Sequence, residues 1–125
     1  MLIDTDVVIW ALRRLGPAVA VVDGVSDRAV SVITYLELVQ GGRSHQEIRQ
    51  LKQYLSYYDF AVLPLTENIG HRASVYMEEY CPAAGLSVAD SLIAATAVEN
   101  QLVLLTGNHK HYKIIRDLEI KAFRP

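Results

Sequence analysis

Met1-Leu2-Ile3-Asp4-Thr5-Asp6-Val7-Val8-Ile9-Trp10 is the stretch whose reading decides the fold. A short apolar run breaks at Asp4, and an acid, a hydroxyl and a second acid follow before apolar residues resume at helical spacing. The pattern predicts a buried strand that ends in carboxylates and turns straight into a helix. In an open α/β sheet, ligands sit at the carboxyl ends of the strands, so Asp4 is a candidate site residue. Asp and Thr are also the residue types that cap a helix and fill its first turn, and both roles stay open at this point.

The rest of the chain repeats the alternation. Asp6 to Leu15 is expected to form a helix stopped by Gly16-Pro17, followed by a short helix over Ala18 to Asp23. Ala29 to Ile33 is β-branched and reads as a buried strand, with Thr34 to Glu37 opening the next helix. Ser44 to Tyr58 is amphipathic, with Ile48, Leu51 and Leu55 on its apolar face. Phe60 to Leu63 is a third strand. A helix from Thr66 to about Tyr80 is expected to stop at Pro82 and Gly85. Ser91 to Asn100, opened by Ser87, is apolar on most sides and therefore expected to be buried. Leu102 to Leu105 reads as a strand of the parallel type. After a polar turn at 106–111 come a short helix over Tyr112 to Leu118 and an edge strand at Ile120 to Phe123. Strands alternating with helices predict an α/β fold, a three-layer sandwich around a mostly parallel sheet of about five strands.

The 125 residues suit one domain with a real core, and 51% apolar with 21% charged residues marks a folded chain. A net charge of −2 argues against a protein that coats nucleic acid; a polyanion would have to be met by a local basic patch or by bound metal. The lone Cys81 forms no internal disulfide and is expected to be a buried thiol in a reducing compartment. No run reaches the roughly 18 apolar residues of a membrane span, and Asp4 and Asp6 spoil any signal peptide. A cytoplasmic location is expected.

Three junctions carry acids: Asp4 after the first strand, Glu37 after the second, and Asp90 at the start of the buried helix. Thr34-x-x-Glu37 and Ser87-x-x-Asp90 both match a capping box, and capping and site roles are compatible. With parallel strands, Asp4 and Glu37 face one crevice, and the helix at Ser87 can bring Asp90 there. Clustered carboxylates repel and raise one another's pKa. A hard divalent cation removes that penalty, and Mg²⁺ binds through few carboxylates, leaving room for a phosphate and an attacking water. Thr106 and Asn108 offer a hydroxyl and a neutral oxygen in the turn after the fourth strand, as support for the site or as a plain polar turn.

Leu2 to Asp6, Ser31 to Leu38, Ala89 to Ala97, and Leu104 to Asn108 with His111-Tyr112 together resemble, in order, the four motifs of the PIN-domain family, in particular the VapC ribonuclease toxins. The resemblance spans nearly the whole chain. It implies an Mg²⁺- or Mn²⁺-dependent endoribonuclease, usually a homodimer, held inactive by a small cognate antitoxin. It further implies that Asp4, Glu37 and Asp90 are the metal-binding acids, with Asp6 in support. The family's fourth acidic position corresponds to Asn108, which removes one charge and favours a single well-bound ion.

For RNA contact the candidates are Arg13, Arg14, Arg43, Lys110 and Lys113, since affinity for a polyanion comes mainly from such charges. His109 and His111 flank Lys110 in a solvated turn, and His45 and His71 are expected on the surface. Tyr54, Tyr57 and Tyr58 suit packing or an interface, or stacking on bases. Two other readings remain: a PIN-like module that binds RNA or a partner without cutting, motivated by Asn108, and a phosphoacceptor receiver domain, for which Asp59 and Lys110 are poorly placed. The Asp4-Thr5-Asp6 echo of haloacid-dehalogenase phosphatases lacks their downstream lysine motif.

Overall fold

In the computed structural model, which describes residues 1–125, the elements run β1 (Leu2–Ile3), α1 (Thr5–Leu12), α2 (Gly16–Asp23), β2 (Ala29–Ser31), α3 (Val32–Gln40), α4 (His45–Tyr57), β3 (Ala61–Leu63), α5 (Glu67–Ala84), α6 (Val88–Glu99), β4 (Leu104–Thr106), α7 (His109–Tyr112) and β5 (Ile120–Ala122). The five strands form one sheet in the order β3-β2-β1-β4-β5, and every pairing is parallel. The expected α/β sandwich is therefore present, with a wholly parallel sheet.

Alternation along the strands splits the core in two. Leu2, Ala29 and Leu104 pack with Ile69, Ala73, Ile93 and Ile115 on one face. Ile3, Val30 and Leu105 pack with Val7, Val8, Leu51 and Leu55 on the other. This is the period-2 rule applied to strands buried on both faces. Helix α6 is buried nearly all round, with Ala94, Ala95 and Ala97 inaccessible, as its composition requires. Arg72 fastens this half: it ion-pairs with Glu99 of α6 and with Asp117 before β5, while the Tyr76 hydroxyl donates to Asp117 Oδ1 at 2.8 Å.

Several boundaries differ from the sequence expectation, each for a local reason. Helix α1 ends at Leu12, because Arg14 turns left-handed at φ 65°. Gly16-Pro17 does not stop a helix but starts α2, where proline's missing N–H costs nothing and its φ is preset. Strand β2 ends at Ser31, and Val32 and Ile33, read as strand from their β-branching, are the first turn of α3. Ser31 Oγ accepts the Ile33 N–H at 3.0 Å. Ser31 is thus the cap, and the expected Thr34–Glu37 capping box is absent. Pro82 lies inside α5, which runs on to Ala84 and ends at Gly85 with φ 66°; near a helix end proline costs few backbone bonds. The fourth strand is shifted to Leu104–Thr106, and the late helix covers His109–Tyr112, with turns where Tyr112 to Leu118 was expected to be helical. Cys81, expected to be buried, is half-exposed.

Candidate active site

The register sets the site. Leu2 pairs with both Ala29 and Leu104, and Ile3 with Leu105. Two residues further on from Leu2, the same rows align Asp4 with Ser31 and Thr106 at the carboxyl edge of the three central strands. All three are buried polar residues, Asp4 being only 3% exposed. Asp4 caps α1 as well: its Oδ1 accepts the Thr5 N–H at 2.8 Å, while Oδ2 accepts the Thr106 hydroxyl at 2.7 Å. The capping reading of Asp4 holds for one oxygen, and the other is occupied by the Thr106 hydroxyl.

Glu37 points back to this edge instead of capping its own helix. Its Oε1 accepts the Thr5 hydroxyl at 2.7 Å, and Thr5 Oγ1 lies 2.9 Å from Thr34 Oγ1. Asp90 sits in the first turn of α6, where its N–H donates to the Ser87 cap at 3.0 Å. Its carboxylate Oδ1 accepts the Tyr112 hydroxyl at 3.1 Å. Asp6 is held through Oδ1 by the Val7 N–H at 2.7 Å and through Oδ2 by the Gly107 N–H at 3.0 Å.

The electrostatics are those of an uncompensated acid cluster. Burial pushes the Asp4 carboxyl from 3.8 up to about 7; the Thr106 hydrogen bond opposes this, and the charges of Asp6 and Asp90 add to it. Asp6 is raised too, first by burial and in part by Asp90. The Tyr112 phenol is driven far upward by burial and then by Asp4 and Asp90, and stays a neutral donor. No lysine or arginine pairs with these acids; both ion pairs of the molecule belong to Arg72. An isolated buried carboxylate is costly unless paired or metal-bound, so the donor set suits a hard cation. The acids adjoin without closing a cage, since no three His, Cys, Asp or Glu side chains converge as a metal site.

Thr106 belongs to this edge as strand, not turn. Asn108 leaves its side chain uncommitted at the start of α7 and donates its N–H to Thr106 Oγ1 at 2.9 Å. Of the expected basic contacts, Arg13 borders a groove that includes Glu37, and Arg14 borders a different one with Asp23 and Tyr54. Arg43, Lys110 and Lys113 are exposed, as are His45 and His71. Tyr54 stacks on Tyr58 and Phe60, with ring centroids 4.9 and 5.9 Å away; Tyr57 is 81% exposed.

Residue-by-residue reading missed the roles of Thr5, Gly107 and Tyr112. Gly107 had a signal in its position directly after a strand. A Cβ there would lie 2.7 Å from both Asp6 Oδ2 and the Trp10 ring, a close approach only glycine permits. Gly107→Ala is expected to cost about 1–3 kcal/mol through overpacking, measured by urea unfolding. Tyr112 had a signal in being a large aromatic amid polar residues, because a buried tyrosine hydroxyl needs a partner. Tyr112→Phe is expected to keep stability within about 1 kcal/mol and to weaken divalent-metal affinity about tenfold by freeing Asp90; metal titration followed by thermal shift checks both.

A buried carboxylate ending the central strand of a parallel sheet, with further acids nearby and no cation to balance them, defines an α/β protein with an acidic sheet edge. The PIN domain family profile matches residues 1–116, and the chain belongs to that family. It is 36% identical to Ribonuclease VapC10 of Mycobacterium tuberculosis (strain ATCC 25618 / H37Rv), over 95% of this chain and 90% of that protein. Among solved structures, VapBC2 from Rickettsia felis bound to a DNA fragment from its promoter matches with a TM-score of 0.85 at 20% identity, covering 98% of each chain. A toxin-antitoxin complex from Klebsiella pneumoniae matches at 0.82 and 23%, covering 98% of this chain and 97% of that one. At these identities the structural matches concern the fold.

Proposed function

We propose that this chain is a divalent-metal-dependent endoribonuclease, the toxin of a toxin-antitoxin pair, acting as a single nuclease domain in the cytoplasm. Asp4, Glu37 and Asp90 are the residues that would hold Mg²⁺ or Mn²⁺. The observation that carries this reading is Asp4 itself, 3% exposed with its pKa raised to about 7 and no cationic partner. A fold builds such a group at a cost unless an ion relieves it. The VapC relative at 36% identity supports RNA as the polymer cut.

The chain's own residues have separable tasks. Thr106 donates to Asp4 Oδ2 and the Thr5 N–H to Oδ1, which fixes the carboxylate plane. Tyr112 orients Asp90, and the Thr5 hydroxyl orients Glu37. Asp6, tied by two backbone N–H groups, cannot swing away and keeps the crevice negative. A bound divalent cation would neutralise these acids, polarise a phosphodiester and lower the pKa of water. Asn108 in place of a further acid supports one tightly held ion. A small antitoxin and a second copy of the chain are the partners this reading implies.

The test is cleavage of a labelled single-stranded RNA by purified protein with Mg²⁺ and with excess chelator. Cleavage with Mg²⁺ alone is expected; equal cleavage in chelator, or none in either, contradicts the proposal.

A further inference from the structure

The charge of the chain is unevenly spread. Residues 107–125 hold five of its 12 Lys and Arg and two of its 14 Asp and Glu, a balance of 5 − 2 = +3. The remainder therefore carries −2 − 3 = −5. This cationic segment meets the acidic edge at Gly107, whose N–H is bound to Asp6.

There the segment forms a cup of about 450 Å³, lined by His109, Lys110 and His111 on α7 and by Phe123 and Arg124 after β5, with Gly107 at its inner wall. No carboxylate lines it. The four other main surface cavities each contain at least one. The frame is firm. Phe123 is 7% exposed, its N–H donates to the Thr106 carbonyl at 2.7 Å, and its ring sits 5.5 Å from that of Trp10. Buried Tyr112 anchors α7 from below, leaving His109, Lys110 and His111 exposed on its outer side.

We propose that this cup binds a backbone phosphate of the single-stranded RNA substrate next to the phosphodiester held at the acidic edge, with Lys110 and Arg124 as its charged contacts. An acidic protein that must hold a polyanion against an acid-lined crevice needs a local cationic anchor. Among the five main cavities this one is free of acids, and its Gly107 is bonded to Asp6 of the acidic edge. The proposal rests on the nuclease reading for the identity of the polymer.

The test is fluorescence anisotropy of a labelled oligouridylate in chelator, so that binding is read without cleavage. Lys110→Ala/Arg124→Ala is expected to raise Kd about tenfold and to flatten the plot of log K against log salt by about 0.7 for each phosphate that the variant no longer neutralises. Arg49→Ala/Lys52→Ala, an equal charge change on the outer face of α4, is expected to leave both unchanged. Equal Kd and salt slope in the two double variants overturns the cup, including the case in which it serves an acidic protein segment instead. The nuclease reading fails separately, on wild-type cleavage with Mg²⁺.

Discussion

Asp4→Asn is expected to lower RNA cleavage about a thousandfold while making the metal-free protein more stable at mildly alkaline pH. Here the two should move in opposite directions, because the wild-type carboxylate is buried, charged above about pH 7 and repelled by Asp6 and Asp90. Asparagine keeps the shape and still accepts the Thr5 N–H, but it faces the Thr106 hydroxyl with an NH₂ group in place of an acceptor, which offsets part of the gain. The net gain expected is about 1–3 kcal/mol, a rise of several degrees in Tm for a chain of this size. Differential scanning fluorimetry in chelator reads the stability, and a cleavage assay on the same preparations reads the rate.

The second large effect concerns pH. The folded-state pKa of Asp4 lies above its ordinary value of 3.8, at about 7, so between those limits the folded protein holds a proton that the unfolded chain has lost. Stability of the metal-free protein is therefore fullest at the acidic end of that window and falls as pH rises through it, by at most about 1.4 kcal/mol per pH unit. Asp6, also raised, adds in the same direction. Saturating Mg²⁺ is expected to restore stability above the window, by about 2.7 kcal/mol at a hundredfold excess over Kd, and to do little below it, where protons compete with the ion. Asp4→Asn should flatten the pH profile and shrink the Mg²⁺ effect. Urea unfolding across this range measures both; a wild-type profile that rises with pH contradicts the assignment of the buried charge.

The opening strand and the position of Asp4 at its end followed from an apolar run broken by an acid, and register then carried Asp4 into line with Ser31 and Thr106. Buried α6 followed from apolar residues on nearly every side. Glu37 was harder. Thr34-x-x-Glu37 fits a capping box by spacing, yet Ser31 caps the helix three residues earlier and Glu37 is left to accept the Thr5 hydroxyl from α1. Local spacing cannot rank two hydroxyls when a tertiary contact chooses between them. The same holds for α7, where the part-buried Tyr112–Asp90 contact, 22 residues apart in sequence, accompanies a helix over 109–112 in place of the apolar residues that follow. Of the two expected stops, Pro82 lies inside α5 although proline disfavours helix interiors, and Gly85 ends the helix with an αL turn.

The decisive measurement is sequencing of RNA ends after total RNA is incubated with the pure protein, with and without Mg²⁺, beside Asp4→Asn. A defined set of new ends that requires both Mg²⁺ and Asp4 is the predicted result. The same ends from the Asp4→Asn protein, or no new ends from the folded wild type in Mg²⁺, would contradict it.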